Sequence, residues 1–449
     1  MNTIWQLAFR LFACAFVVLA QATVASPKPN IIFILADDLG AFDVSWRGGE
    51  IKTPNLDKLA MAGARLEQFY AQPVCSPTRA ALMTGRYPMR YGLQVGVIRP
   101  NAQYGLPLGE RMLPEALREA GYTTAMVGKW HLGSFDTNYW PNARGFDFWY
   151  GHLFGALDYF KHIRDGKHDW YRNGQTNHDE GYSTHLLVRE AVRVLRDQPK
   201  NKPLFLYVAF NAVHAPHQVP LEYKKPYEHL PEPRRTYAGM LAAMDEAVGK
   251  IVAAVDETGR RKNTLFVFSS DNGGPRPGIV TTNGPLRAGK GTVYEGGVRV
   301  AAFATWAGRI PARQIQTPMH MVDWYPTLLK LCGASTKQKF PLDGRDLWPS
   351  LTRGKSSPHD EIVLNIAPNN GAIRAGDWKL VVNDGDNRER RRRRNNPGTN
   401  ELADVELFNL VKDPGETTNL AVDDPRRVKK LRARYDELAA QAVPPKNRE

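Results

Sequence analysis

Cysteine is scarce in this chain, with three residues among 449: Cys14, Cys75 and Cys332. Thiols so few and so far apart exclude the disulfide framework of a small secreted scaffold. There is no Asn-x-Ser/Thr sequon, so nothing calls for N-glycosylation. Past the N-terminus no apolar run is long enough to span a bilayer, and no internal repeat stands out. Low-complexity sequence is confined to one basic run, Arg388, Arg390, Arg391, Arg392, Arg393 and Arg394, broken by Glu389. It reads as a solvated loop, with docking onto a polyanion as the lesser alternative. No recognition motif accompanies it, so a nucleic-acid partner is not expected.

What is present describes a large, folded, basic protein. The length exceeds a typical single core and favours two domains. With 42% hydrophobic residues and ten tryptophans, the chain can bury a sizeable interior. A formal net charge of +14 suits an acidic substrate. Arg10 precedes the apolar run 11–20, and Ala20-Gln21-Ala22 offers a small-residue cleavage site, so residues 1–25 read as a cleaved signal peptide. The expected location is secreted or periplasmic rather than lysosomal, with no stable membrane insertion. Sparse cysteine and absent sequons lean toward a bacterial envelope.

In chain order, 30–35 (NIIFIL) is an apolar β-branched run, hence a buried strand, with Asp37 and Asp38 at its end. Adjacent carboxylates there are a surface turn or half of a cation site. Residues 53–60 predict a helix capped by Thr53, and 65–70 a strand. A helix over 113–121 is followed by a strand over 123–127 and Gly128-Lys129-Trp130-His131-Leu132-Gly133. A lone Lys or His is commonly surface or satisfied core; between glycines that let backbone approach a ligand, Lys129 and His131 gain weight. Residues 183–198 predict a helix capped by Ser183, 203–210 a strand leading to His214, and 236–257 an amphipathic helix. Residues 264–269 form another buried strand, followed by Asp271-Asn272-Gly273-Gly274, an ordinary turn or the second half of a hard-cation site. Lys290 lies in a glycine-rich loop before 295–299. A helix over 320–331 precedes a change of texture, with short strands over 361–366, 372–382 and 406–410 and a helix over 426–441. The domain boundary is expected near 337–347, giving domains 26–340 and 341–449.

Cys75-Ser76-Pro77-Thr78-Arg79 opens a helix that Ala80 to Met83 propagate and Gly85 stops. Cys75 then sits at the positive helix end, and Arg79 shares its face one turn on. The bland alternative is a cysteine packed as a small hydrophobe. Against it, Asp37/Asp38, Lys129/His131, His214 and Asp271/Asn272 each follow a predicted buried strand. In a mostly parallel α/β sheet those strand ends line one edge, where ligands bind.

C-x-P-x-R with a helix ending T-G-R resembles the maturation motif of type I sulfatases. G-K-W-H-L-G and the strand followed by D-D are similar to signatures of that family. The stretches 84–94, 121–133, 145–158, 237–248 and 378–380 most resemble the arylsulfatase B-like N-acetylgalactosamine-4-sulfatases. The resemblance covers nearly the whole chain after the signal. It implies an alkaline-phosphatase-like α/β fold with a large mixed, mostly parallel sheet, plus a small C-terminal domain with an antiparallel sheet and a helix. It implies a sulfuric ester hydrolase acting on a sulfated carbohydrate or aryl sulfate. Cys75 would be converted to 3-oxoalanine (formylglycine) by a formylglycine-generating enzyme. One Ca2+ would be held by Asp37, Asp38, Asp271, Asn272 and the modified Cys75. Arg79 and Lys129 would stabilise that residue, His131 would act as base, and His214 and Lys290 would grip the sulfate, with one of the two, His214 ahead of Lys290, protonating the leaving oxygen. A phosphoester or phosphonate hydrolase of the same superfamily and a non-catalytic sulfated-glycan-binding protein are the rival readings.

Overall fold

The computed structural model describes residues 28–367, 370–382 and 405–446. The expected signal peptide and the arginine run 388–394 lie outside the described residues. The larger unit is built on a ten-stranded sheet: β1 (Asn30–Ala36), β2 (Ala64–Leu66), β3 (Thr123–Lys129), β4 (Phe148–His152), β5 (Tyr171–Arg172), β6 (Gln175–Thr176), β7 (Leu204–Ala209), β8 (Thr264–Ser270), β9 (Ala302–Thr305) and β10 (Arg313–Ile315). The spatial order is β10-β2-β9-β8-β1-β7-β3-β4-β5-β6. Its central block, β8-β1-β7-β3-β4, is parallel throughout, and β9 and β5 flank it antiparallel.

The unbroken apolar runs follow from burial on both faces. Successive side chains point to opposite sides of a strand. Ile32, Ile34, Leu206, Val208, Phe266 and Phe268 therefore enter one core, while Ile31, Phe33, Phe205, Tyr207, Leu265 and Val267 enter the other. Helix α1 (Pro54–Met61), α4 (Ser183–Asp197) and α5 (Arg234–Glu257) cover the first face; α2 (Cys75–Thr84), α3 (Leu113–Glu119) and α6 (Trp324–Leu331) cover the second. Among the described residues no helix is long and apolar enough to cross a membrane.

Several sequence expectations shift at element ends. Residues 65–70 are not one strand. Ala64–Leu66 joins the large sheet, and Phe69–Tyr70 joins a separate three-stranded sheet with Arg299–Val300 and Met319–His320. The polar pair Glu67-Gln68 marks the switch, its backbone bonding Ile315 and Met319 in turn. Ser183 does not cap α4: Tyr182 is the N-cap, and the Ser183 hydroxyl pairs with Asn211. Thr53 stands at the N-cap of α1, yet its hydroxyl is spent on Ser45 and Asp57 rather than on the helix backbone. The helix expected over 320–331 begins as a tight turn, Met321–Asp323, because the Asp323 carboxylate accepts the His320 N–H at 2.8 Å.

The smaller unit is a four-stranded antiparallel sheet, β11 (Glu361–Ala367), β12 (Asn370–Ala375), β13 (Trp378–Val382) and β14 (Val405–Asn409), with α7 (Pro425–Ala439) on one face. The single strand expected over 372–382 is a hairpin, turned at Gly376. Leu347 and Leu351 still pack in the core of the large sheet. Between the units lies a buried charged cluster. Lys379 Nζ sits 3.0 Å from Glu295 Oε1 and 2.7 Å from Glu416 Oε1, and all three side chains are sealed from solvent. Tyr70 donates to Glu295 Oε2 at 2.8 Å, and Arg374 donates to the Tyr70 hydroxyl.

Removing one member of such a cluster strands the others' charge in a dry interior. Lys379→Met is expected to destabilise the protein by about 3–5 kcal/mol in chemical denaturation. A loss below about 1 kcal/mol, the size of a surface pair, would contradict this account of the domain contact.

Candidate active site

The charged residues gather at the C-terminal edge of the parallel block. β1 ends at Ala36, and Asp37 and Asp38 follow. Asp37 N–H donates to Ala212 O at 3.0 Å and Val213 N–H donates to Asp37 O at 2.8 Å, lacing the turn after β1 to the turn after β7. Asp271, just past β8, donates its N–H to Ala36 O at 3.0 Å. Lys129 is the last residue of β3 itself, because the strand runs two residues past the end at 127 that the sequence pattern predicts.

Helix α2 starts at Cys75, as its sequence predicts, with extended Val74 before it and no side-chain cap. Its positive end is therefore open to an anion. Gly85 closes the helix at φ +67°, and a Cβ there would lie 2.8 Å from Tyr325. The one-turn spacing from Cys75 brings Arg79 into the same cluster. Arg79 Nε and Nη2 donate to Asp271 Oδ2 at 3.1 and 2.8 Å, and Nη1 donates to Lys129 O at 2.9 Å. One guanidinium thus ties α2 to β8 and β3. Asp37, Cys75 and Asp271 present ligand atoms within 4.8 Å of one another.

The remaining charges are matched pairwise. Lys129 Nζ donates to Asp37 Oδ2. Lys290 Nζ lies 2.6 and 2.8 Å from the two oxygens of Asp38. Asn272 Nδ2 donates to Asp38 Oδ1 at 2.8 Å, and His214 Nε2 lies 3.5 Å from Asp38 Oδ2. Two oxygens are left over. Asp37 Oδ1 and Asn272 Oδ1 are buried with no hydrogen-bond partner. Burial, reinforced by the Asp37 charge, pushes the Asp271 carboxyl up to about 6. Orphaned hard oxygens beside mutually repelling carboxylates fit a divalent cation of the calcium or magnesium kind. Asp37, Asp38, Asp271 and Asn272 could hold it.

Two histidines complete the cluster. His131 is buried, and its Nε2 lies 2.9 Å from Ile98 O. A carbonyl only accepts, so Nε2 carries the proton and Nδ1, which has no partner, is a bare acceptor. Burial, then Lys129 and Arg79, hold its pKa well below the usual histidine value. The ring fits only because Gly155 faces it: a Cβ there would lie 2.4 Å from the imidazole. His214 is pushed down to about 4 by burial, against the pull of Asp38. For Lys290, burial is more than offset by the Cys75 sulfur and Asp38, so its pKa is raised. Burial raises the Cys75 thiol, so the unmodified side chain is a poor thiolate despite its helix position.

Cys75, His131, His214 and Lys290 line a cavity of about 1460 Å³. Every sequence-predicted site residue therefore lies in this cluster. Sequence reasoning missed the cavity's outer wall, which includes Arg99, Tyr104, Tyr139, Arg164 and Lys446. It also missed the Ile98 carbonyl that orients His131. These belong to loops, a short turn and a two-stranded hairpin without a motif, and only the folded chain assembles them.

Comparison with known proteins agrees with this geometry. The sulfatase family model matches residues 29–334. Arylsulfatase J from Mus musculus is 38% identical over 94% of this chain and 77% of its own length. N-acetylgalactosamine-6-sulfatase from Rattus norvegicus is 36% identical over 74% of this chain and 67% of its own. The crystal structure of Ps i-CgsB in complex with k-i-k-neocarrahexaose superposes with a TM-score of 0.84 at 32% identity, over 93% of this chain and 94% of that one. An α/β fold with an antiparallel C-terminal sheet, the helix-opening cysteine motif and these relatives converge: the chain belongs to the type I sulfatase family, and the protein is a sulfatase that hydrolyses sulfate esters.

Proposed function

We propose that the enzyme removes sulfate from a sulfated carbohydrate, with N-acetylgalactosamine 4-sulfate as a first substrate to test and aryl sulfates as surrogates. On this reading Cys75 is oxidised to 3-oxoalanine by a formylglycine-generating enzyme, and one Ca2+ sits among Asp37, Asp38, Asp271, Asn272 and residue 75. The catalytic unit runs over 26–340 after a signal peptide, with 341–449 as the small domain, and the mature protein is secreted or periplasmic. The observation that carries the reading is the uncapped start of α2, where Cys75 stands at the edge of the cavity with Asp37 and Asp271 beside it and the orphaned Asp37 Oδ1 and Asn272 Oδ1 in the buried cluster behind.

The oxidised, hydrated residue 75 supplies a hydroxyl nucleophile and a second hydroxyl for release, and the calcium ion supplies positive charge against the sulfate. This chain's own groups do the rest. Arg79, bound to Asp271 and to the Lys129 carbonyl, fixes the helix start against the strand ends. Lys129, paired with Asp37, adds positive charge beside residue 75. His131 stays neutral through burial, and its bare Nδ1 takes the proton from residue 75 in the release step. Lys290 and His214 hold the sulfate from the open side of the cavity. A sulfate anion against His214 raises the pKa of its ring, and Nε2 then protonates the departing oxygen.

Two outcomes test these roles. In active protein, mass spectrometry of the peptide carrying residue 75 shows the mass loss of a thiol exchanged for an aldehyde, and Cys75→Ala abolishes turnover with an unchanged melting midpoint. An intact thiol in active enzyme would refute the nucleophile. His214→Ala lowers kcat on a sugar sulfate by about 10²–10⁴-fold, the usual weight of general acid catalysis. On 4-nitrophenyl sulfate the loss is far smaller, because nitrophenolate leaves without a proton. Equal losses on both substrates would remove His214 as the acid.

A further inference from the structure

The cavity is larger than one sulfate ester requires. At about 1460 Å³ it exceeds the roughly 1,000 Å³ upper range of pockets for small ligands. Its wall is also one-sided in charge. Beyond the Lys290 of the sulfate cluster it carries Arg99, Arg164 and Lys446, and Asp165 is the one carboxylate among its lining residues. The three cations come from separate parts of the chain. Arg99 lies in the loop that also supplies the Ile98 carbonyl to His131. Arg164 lies on the hairpin of Ile163–Arg164 and Lys167–His168. Its pairing with neighbouring Asp165, at 3.2 Å between side chains 39% and 68% exposed, is too solvated to hold it. Among the described residues Arg99 and Lys446 form no ion pair.

Lys446 arrives by a specific route. After α7 the chain runs back to the large unit and binds the segment just beyond α2. Val443 N–H donates to Met89 O and Lys446 N–H donates to Gly92 O, both at 2.9 Å, while Gln94 Nε2 donates to Val443 O at 2.8 Å. Pro445 is buried between them. The small domain therefore contributes a side chain to the cavity of the large one. Tyr104 and Tyr139 add aromatic faces to the same wall, surfaces suited to the apolar side of a sugar ring.

We propose that Arg99, Arg164 and Lys446 form a second anion subsite, so that the substrate is an oligosaccharide carrying at least one further sulfate or carboxylate beyond the ester being cleaved. This rests on the sulfated-carbohydrate reading above and extends it to chain length and charge. The wall cations, not the sulfate cluster, select a polyanionic glycan over a monosulfated sugar. Exposed cations of this kind act through long-range attraction, so the selectivity falls as salt rises.

Binding to the full-length Cys75→Ala protein tests this independently of turnover. Calorimetry compares N-acetylgalactosamine 4-sulfate, a chondroitin 4-sulfate tetrasaccharide and a sulfated galactan tetrasaccharide without carboxylates. The tetrasaccharides are expected to bind about tenfold or more tightly than the monosaccharide at low salt. Arg99→Ala/Arg164→Ala and Lys446→Glu should each erase most of that advantage, and Lys446→Gln part of it, with unchanged melting midpoints. Tight binding of both tetrasaccharides assigns the subsite to sulfate; tight binding of the chondroitin alone assigns it to carboxylate. Equal affinity for mono- and tetrasaccharide, or an advantage that survives all three variants, would overturn the proposal. Hydrolysis of 4-nitrophenyl sulfate by the wild-type protein is scored separately and bears only on the reaction.

Discussion

Three carboxylates and three cations crowd together at the strand ends, four of the six sealed from water, and their pairing is the constraint on which the site depends. Asp37, Asp271, Arg79 and Lys129 have no exposed surface, and Asp38 and Lys290 have little. Isolated charges in such an interior cost far more than the stability of a domain, so each must meet a partner of opposite sign. Arg79 is central because its fork reaches Asp271, approaches Asp37 within 3.7 Å and bonds the Lys129 carbonyl. The pairing is incomplete: two oxygens remain without partners, and burial, with the Asp37 charge beside it, holds Asp271 high. That residual imbalance is what a bound cation would relieve, and it ties the electrostatics of the fold to the proposed chemistry.

Topology makes this gathering possible. Parallel strands end at one edge, so β8, β1, β7 and β3 deliver Asp271/Asn272, Asp37/Asp38, His214 and Lys129 to a single line although they are far apart in sequence. Helix α2 then lays Cys75 against that line from the second face of the sheet. The loop carrying Lys290 is anchored a few residues on, where Glu295 enters the buried cluster with Lys379 and Glu416. The small domain thus supports the cavity at two points, through that cluster and through the returning tail that delivers Lys446.

Much of this was legible because local signals agreed with global burial. The run NIIFIL reads as a doubly buried strand because both of its faces are covered. The helix from Cys75 to Thr84 is specified by its proline, its alanines and its glycine stop. The splitting of 65–70 between two sheets was not legible, since two polar residues mid-run are compatible with an ordinary exposed edge. Nor were the partners of Lys379: Glu295 lies 84 residues away, and nothing in the local pattern of β13 marks an inward lysine as paired. The cavity wall was hidden for the same reason. Arg99, Arg164 and Lys446 read singly as solvated surface charge, and their grouping depends on how loops and tail return over the strand ends.

The most direct test of the central claim is an anomalous-difference map from crystals of the matured enzyme grown with calcium. The account predicts one peak within about 2.3–2.6 Å of Asp37 Oδ1 and Asn272 Oδ1, shared with Asp38 and Asp271. A map with no peak there in catalytically active protein, those two oxygens still unpartnered, would contradict it.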